Sequence, residues 1–332
     1  MIPFARRFPL EFPYGRRKTG GTCPCSAAWA TLAAPGGLNW SSLAWSGPRN
    51  LFAAVAASGA LNRVMTSLDG INWVIGISPN NNTWRSVIWV DALGLFVAVG
   101  DSGVGNRVMT SPDGINWTAR ASAADNSWRG VTWSPTLNLL VAVAQTGVGN
   151  RVMTSPDGIN WTIQVSAADQ LWEAVTWSNF LGLFVAGDNA ADANRVMTSP
   201  NGVNWTLRAT PAAPSQNGMT CVASSDTLGL VVGSGASGFG NGACTSPNGI
   251  AWTYRTTPVA GTGWRGLKWF PSLNNFMAVA LGVALTMSSE DGINWTQNST
   301  IAAQAWNDLD FSPTLGIAAA VASTGFTASL RP

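Results

Sequence analysis

One eleven-residue phrase recurs along this chain at a fixed interval. RVMTSLDGINW ends at Trp73, RVMTSPDGINW at Trp117 and again at Trp161, and RVMTSPNGVNW at Trp205, each 44 residues after the last. Looser copies, TSPNGIAW and SSEDGINW, end at Trp252 and Trp295, and stepping back one period from Trp73 lands on Trp29 in CSAAW. A repeat of this length marks a unit that cannot cover its own apolar faces and must stack on its neighbours. A second tryptophan follows about eleven residues later, at Trp40, Trp84, Trp128, Trp172, Trp264 and Trp306, with Met219 in the fifth copy. A third follows five residues on, at Trp45, Trp89, Trp133, Trp177 and Trp269, with Ser224 and Phe311 as substitutes. These three sets account for all 18 tryptophans.

Within one unit, WRGVTW, LLVAV, RVMTS and INWTAR are short runs rich in Val, Trp and Thr. SPTLN, a Gly/Asn-rich loop and PDG separate them, which predicts four strands per unit. Four-stranded units at this period predict an all-β chain folded as a seven-bladed β-propeller. The ends fix its closure. GFTASLRP at the C-terminus matches the RVMTSPDG half of a unit, with Ser329 in the place of Ser111, and CSAAW near the N-terminus supplies the other half. Pairing the C-terminal strand with the N-terminal strand of this split blade leaves no open sheet edge. Residues near Ser26 are therefore expected to meet those near Pro332, with a propeller over 22–332 and a separate arm over 1–21.

Charge separates the arm from the body. Arg6, Arg7, Arg16, Arg17 and Lys18 face only Glu11 in the first 20 residues, against a net charge of +2 for the whole chain. The body is thus slightly acidic and offers no basic stripe for nucleic acid. No apolar run is long enough for a membrane span, and the proline-broken start does not read as a secretory signal. The cysteines, Cys23, Cys25, Cys221 and Cys244, suggest no disulfide framework. There is no histidine. Its absence removes the commonest metal ligand and neutral-pH acid/base, so the expectation is a chain with no metal or cofactor and no enzymatic activity.

The repeated turn has a mechanical reading. Pro112 fixes φ, Asp113 can accept backbone N–H groups, Gly114 can take a positive φ and Trp117 can pack beneath the hairpin. Asp69, Asp157 and Asp291 hold the same place. This turn resembles the Asp-box, or BNR-like, repeat of sialidases, photosystem assembly propellers and many phage virion proteins. It is one residue shorter between Asp and Gly, and Asn201 and Asn248 replace the aspartate in two copies, with Arg331 or Cys25 in the split one. The resemblance implies a propeller in which the box is a folding element away from any active centre. A sialidase-like hydrolase would also need an arginine triad and a Tyr/Glu pair. The only tyrosines, Tyr14 and Tyr254, and the only glutamates, Glu11, Glu173 and Glu290, have no matching context. Arg63, Arg107, Arg151 and Arg195 recur before the third strand and read as structural.

The units differ mainly in two loop sets, after the second and the fourth strands, which emerge on one face and make it the candidate binding surface. Trp84, Trp128, Trp172, Trp264 and Trp306 stand directly after these loops. They read either as inter-blade core or as stacking platforms for a glycan. Ser41, Arg85, Arg129, Glu173, Thr220, Arg265 and Asn307 come next; they form no uniform charged ring and read as solvated or locally paired. The arm alternates Phe4, Phe8, Phe12 and Tyr14 with prolines and with Arg6, Arg7, Arg16 and Arg17. This is an extended segment suited to docking on a neighbouring protein. The expectation is a structural or adhesion component of a larger assembly, such as a bacteriophage virion, anchored by this arm to other structural proteins. A propeller lectin for cell-surface glycan is the alternative. The location would be the virion, or the cytoplasm if the protein is not phage-encoded.

Overall fold

The computed structural model describes residues 29–190, 195–210, 218–235, 242–259, 262–298 and 301–330. They form seven four-stranded antiparallel sheets, six of them consecutive in the chain and the seventh built from both ends. The third blade shows the plan. Trp128–Ser134 is innermost, followed outward by Leu139–Ala144, Val152–Ser155 and Thr162–Gln164. The innermost strands of the other blades are Trp40–Ser46, Trp84–Val90, Trp172–Ser178, Met219–Ser225, Trp264–Phe270 and Trp306–Ser312. Each touches the innermost strand on either side, so they surround a central channel without a break. The split blade closes as expected: Ala30–Ala33 pairs with Phe326–Leu330, setting Ala30 opposite Ser329 and Ala33 opposite Phe326.

Strand period explains the packing. Side chains alternate between the two faces of a strand, and each second strand is sandwiched between neighbouring blades. Phe96 and Ala98 therefore join a cluster with Ala53 and Val55 of the first blade, while Val97 and Val99 join Leu140 and Ala142 of the third. A strand buried on both faces reads as a continuous apolar run, as LFVAV and LLVAV do. The seven clusters each lie between two blades. Six contain one tryptophan from the start of an innermost strand, and the one between the fourth and fifth blades has Met219 instead. Gly187 and Gly233 make room for it, since a Cβ on either would come within about 3 Å of the methionine side chain.

The outermost strand is shorter than INWTAR suggests. It begins at Thr118, after Trp117, because the N–H groups of Ile115 and Asn116 are held by the Asp113 carboxylate at 2.9 and 2.8 Å. Gly114, at φ 75°, sits against the first blade, where a Cβ would come within 2.8 Å of Leu51.

Candidate functional site

Every innermost strand opens with a β-bulge. In the third blade Trp128 faces Ala144 and Gly130 faces Val143, leaving Arg129 without an opposite partner. The same shift frees Ser41, Arg85, Glu173, Thr220 and Asn307. In the sixth blade the extra residue falls just after Arg265, where Gly266 takes φ 55°. A bulge re-aims the side chains around it. The result is that all seven of these residues line one central cavity of about 400 Å³. The sequence reads them as solvated or locally paired, and Arg85, Arg129 and Glu173 are locally paired, but around one shared cavity. Their convergence depends on backbone register, which no residue type announces.

The uncharged members of this ring are spent on the fold. Ser41 donates to the carbonyl of Trp84 at 2.6 Å, Thr220 to that of Trp264 at 3.4 Å, and Asn307 to that of Trp40 at 2.8 Å. Each ties its blade to the next. The charged members group together. Asp101 accepts from Arg85 at 2.6 Å and lies 3.3 Å from Arg129, whose Nε is 3.9 Å from Glu173. Gln145 donates to the same Glu173 carboxylate. Burial pushes Glu173 above the usual carboxylate range, with Arg129, then Arg265 and Arg85, opposing the shift.

Across the cavity lies a second charged group. Lys268 is 3.6 Å from Asp308, 3.5 Å from Asp310 and 3.1 Å from the Leu43 carbonyl. Burial would lower the lysine pKa, but Asp308 and then Asp310 raise it above its ordinary value. Asp308 also accepts from the Ser42 hydroxyl and the Leu43 amide, and Asp310 from the Trp45 amide. Cys221 also lines the cavity. Burial pushes its thiol up to about 12, so it stays protonated at neutral pH.

In an antiparallel blade the loops after the second and fourth strands leave at one end and the two tight turns at the other. On the loop end, Arg63, Arg107 and Arg151 fold back to donate to the carbonyls of Gly59, Gly103 and Gly147 at 2.8–2.9 Å. They act as braces. Asp125 and Asp169 hold the Gly105 and Gly149 amides and pair with Arg107 and Arg151 at 3.6 Å. Between the glycines so held, Val104 and Val148 stand 86% and 89% exposed. Ile77 and Val165, after the fourth strands of the first and third blades, are exposed as well.

On the turn end, Asp69, Asp113, Asp157 and Asp291 each accept two backbone N–H groups, one asparagine amide and one serine hydroxyl. Trp84, Trp128, Trp172, Trp264 and Trp306 have no exposed surface. Trp128, Trp172 and Trp306 donate their indole N–H to the carbonyls of Ala124, Ala168 and Ala302. All five rings lie between blades, and none offers a face for a sugar to stack on. Phe4, Arg6, Arg7, Phe8, Phe12, Tyr14, Arg16 and Arg17 lie outside the described residues.

No protein-family model matches the chain, and no curated protein matches it in sequence. Among solved structures it is similar to the virginiamycin B lyase of Staphylococcus aureus, with TM-score 0.75 and 10% identity over 92% of this chain and 99% of that one. It is also similar to YCF48 bound to D1 peptide, with TM-score 0.68 and 16% identity over 92% and 97%. The Pan2 WD40 domain of Neurospora crassa follows, with TM-score 0.65 and 12% identity over 92% and 95%. At such identities what is shared is the fold. The expectation of no enzymatic activity, based on the missing histidine, is corrected by this comparison. A lyase is built on the same propeller, so the fold does not exclude catalysis, and the likeness carries no activity across.

Proposed function

We propose that this propeller is a binding component of a larger assembly, holding a partner protein on its loop face, with residues 1–21 as an anchor. The observation that carries this reading is the contrast between the two ends of the blades. The turn end repeats one hydrogen-bonded design, whereas the loop end varies from blade to blade and, in the second and third blades, displays Val104 and Val148 on braced loops. Varied loops on a rigid scaffold are where binding residues commonly sit, and Val104 and Val148 are the most exposed large apolar side chains among the described residues. Propellers of this fold include one solved with a bound peptide. The resemblance of the GINWT turns to phage-encoded repeats supports a virion as the setting.

The test is cross-linking mass spectrometry in the producing cells or particles, on the full chain, on a 1–21 deletion and on Val104→Asp/Val148→Asp. Cross-links from the loop face should disappear with the valine pair replaced, and those near the N-terminus with the deletion. A full chain that forms no cross-links to another protein would refute the reading.

A further inference from the structure

We propose that the central cavity binds a small oxyanion between Arg129 and Arg265. This goes beyond the partner-binding reading and does not depend on it. The first support is a set of donors left over when the cavity's charges are paired. Asp308 and Asp310 are satisfied by Lys268, Ser42 and backbone amides. Asp101 is satisfied by Arg85 and Arg129. Two buried guanidinium nitrogens remain. Among the described residues, Nε of Arg129 and Nε of Arg265 have no hydrogen-bond acceptor. Buried N–H groups in folded proteins nearly always have one, and those of a guanidinium match the paired oxygens of a carboxylate, phosphate or sulfate.

Charge is the second support. Arg85 and Arg129 pair with Asp101 and Glu173, and Arg265 acts on Glu173 without an ion pair of its own among the described residues. The balancing extra carboxylate lies with Lys268 in the Asp308 and Asp310 group, so the surplus positive charge is local to the arginines. A water could fill a hydrogen-bonding gap but would not neutralise a guanidinium. Space is the third. About 400 Å³ lies within the range of small-molecule sites, and the side chains of Arg85 and Arg129 keep 31% and 20% of their surface accessible. Glu173 is the resident competitor, an acid held against the same arginines by burial and by Gln145.

Inorganic phosphate, sulfate and acetate are the probes, titrated calorimetrically into the full chain at constant ionic strength set with sodium chloride. At least one should bind saturably. Arg265→Gln and Arg129→Gln should each weaken it tenfold or more, and Glu173→Gln should strengthen it. Arg255→Gln, on an outer strand and bonded to Thr245, should leave it unchanged. Preference for phosphate and sulfate would identify a tetrahedral ligand group, and preference for acetate a carboxylate. Either preference sustains the proposal. Circular dichroism checks that each variant is folded, and if Arg265→Gln is not, Arg129→Gln and Glu173→Gln carry the test. No saturable binding of any probe, or binding unaffected by the folded arginine variants, overturns it.

Discussion

At the Asp113 turn, one carboxylate serves four donors. Burial alone would raise its pKa, but the Asn116 amide and side chain, the Ile115 amide and the Ser111 hydroxyl together lower it to about 2. Asp69, Asp157 and Asp291 are lowered to about 2 in the same way. A carboxylate whose folded pKa is depressed stabilises the fold fully above its unfolded value, and this contribution is lost as pH falls through the folded one. The window runs from just above the ordinary 3.8 down to about 2. Asn201 shows what an amide can do in the same turn: it still accepts from Val203 and Asn204 at 3.0 and 2.9 Å, but without the charge. Asp113→Ala should therefore cost roughly 1–2 kcal/mol at pH 7, and Asp113→Asn clearly less. Urea unfolding at pH 7 and pH 3 measures both. The difference between wild type and either variant should shrink at the lower pH, and a difference that grows on acidification would contradict the account.

The innermost strand makes two kinds of use of adjacent residues: the tryptophan goes between blades and the next side chain goes to the channel. The seats of the tryptophans are not equivalent. The indole N–H of Trp172 reaches the Ala168 carbonyl at 3.0 Å, whereas that of Trp84 has no acceptor among the described residues. Tryptophan-to-phenylalanine leaves a similar gap at both places, but at Trp172 it also strands a carbonyl. Trp172→Phe should be less stable than Trp84→Phe by about 1 kcal/mol, as read from denaturant midpoints at equal m-value. Equal losses would show that cavity size alone decides. The architecture of this strand and its blade was legible in the sequence, because the 44-residue spacing and the doubly apolar second strands are written in residue types. The channel ring was not. Ser41, Arg85, Arg129, Glu173, Thr220, Arg265 and Asn307 look unrelated until a register shift turns them inward. Their partners Asp101 and Gln145 come from the far end of the second strand, in some cases in a neighbouring blade.

The closed ring is held at two radii. On the outside, Ala30–Ala33 completes the sheet that ends in Phe326–Leu330. On the inside, Lys268 of the sixth blade passes the seventh to reach the Leu43 carbonyl of the first, while Asp308 and Asp310 bind the first blade through Ser42, Leu43 and Trp45. Both fastenings lie at the blade where the chain's two ends meet, so each opposes the same opening of the ring. Lys268→Met would leave two carboxylates in the cavity wall without their cation, a loss of about 2–3 kcal/mol, at the low end for a buried pair because the lysine is partly exposed. Thr31→Pro with Leu32→Pro would remove a ladder bond whichever of the two N–H groups points inward, and should cost about 3 kcal/mol. If the two fastenings hold one joint, a ring already loosened at the edge has less to lose when the clasp is cut. The double-mutant cycle should then come out sub-additive by at least 1 kcal/mol, above the scatter expected of independent sites. Additive losses would mean that the seventh blade stays docked through its apolar cluster with Trp306 and Phe311 after either fastening fails. Closure would then reside in that packing, with the strand pair and the lysine clasp acting only on their own neighbours.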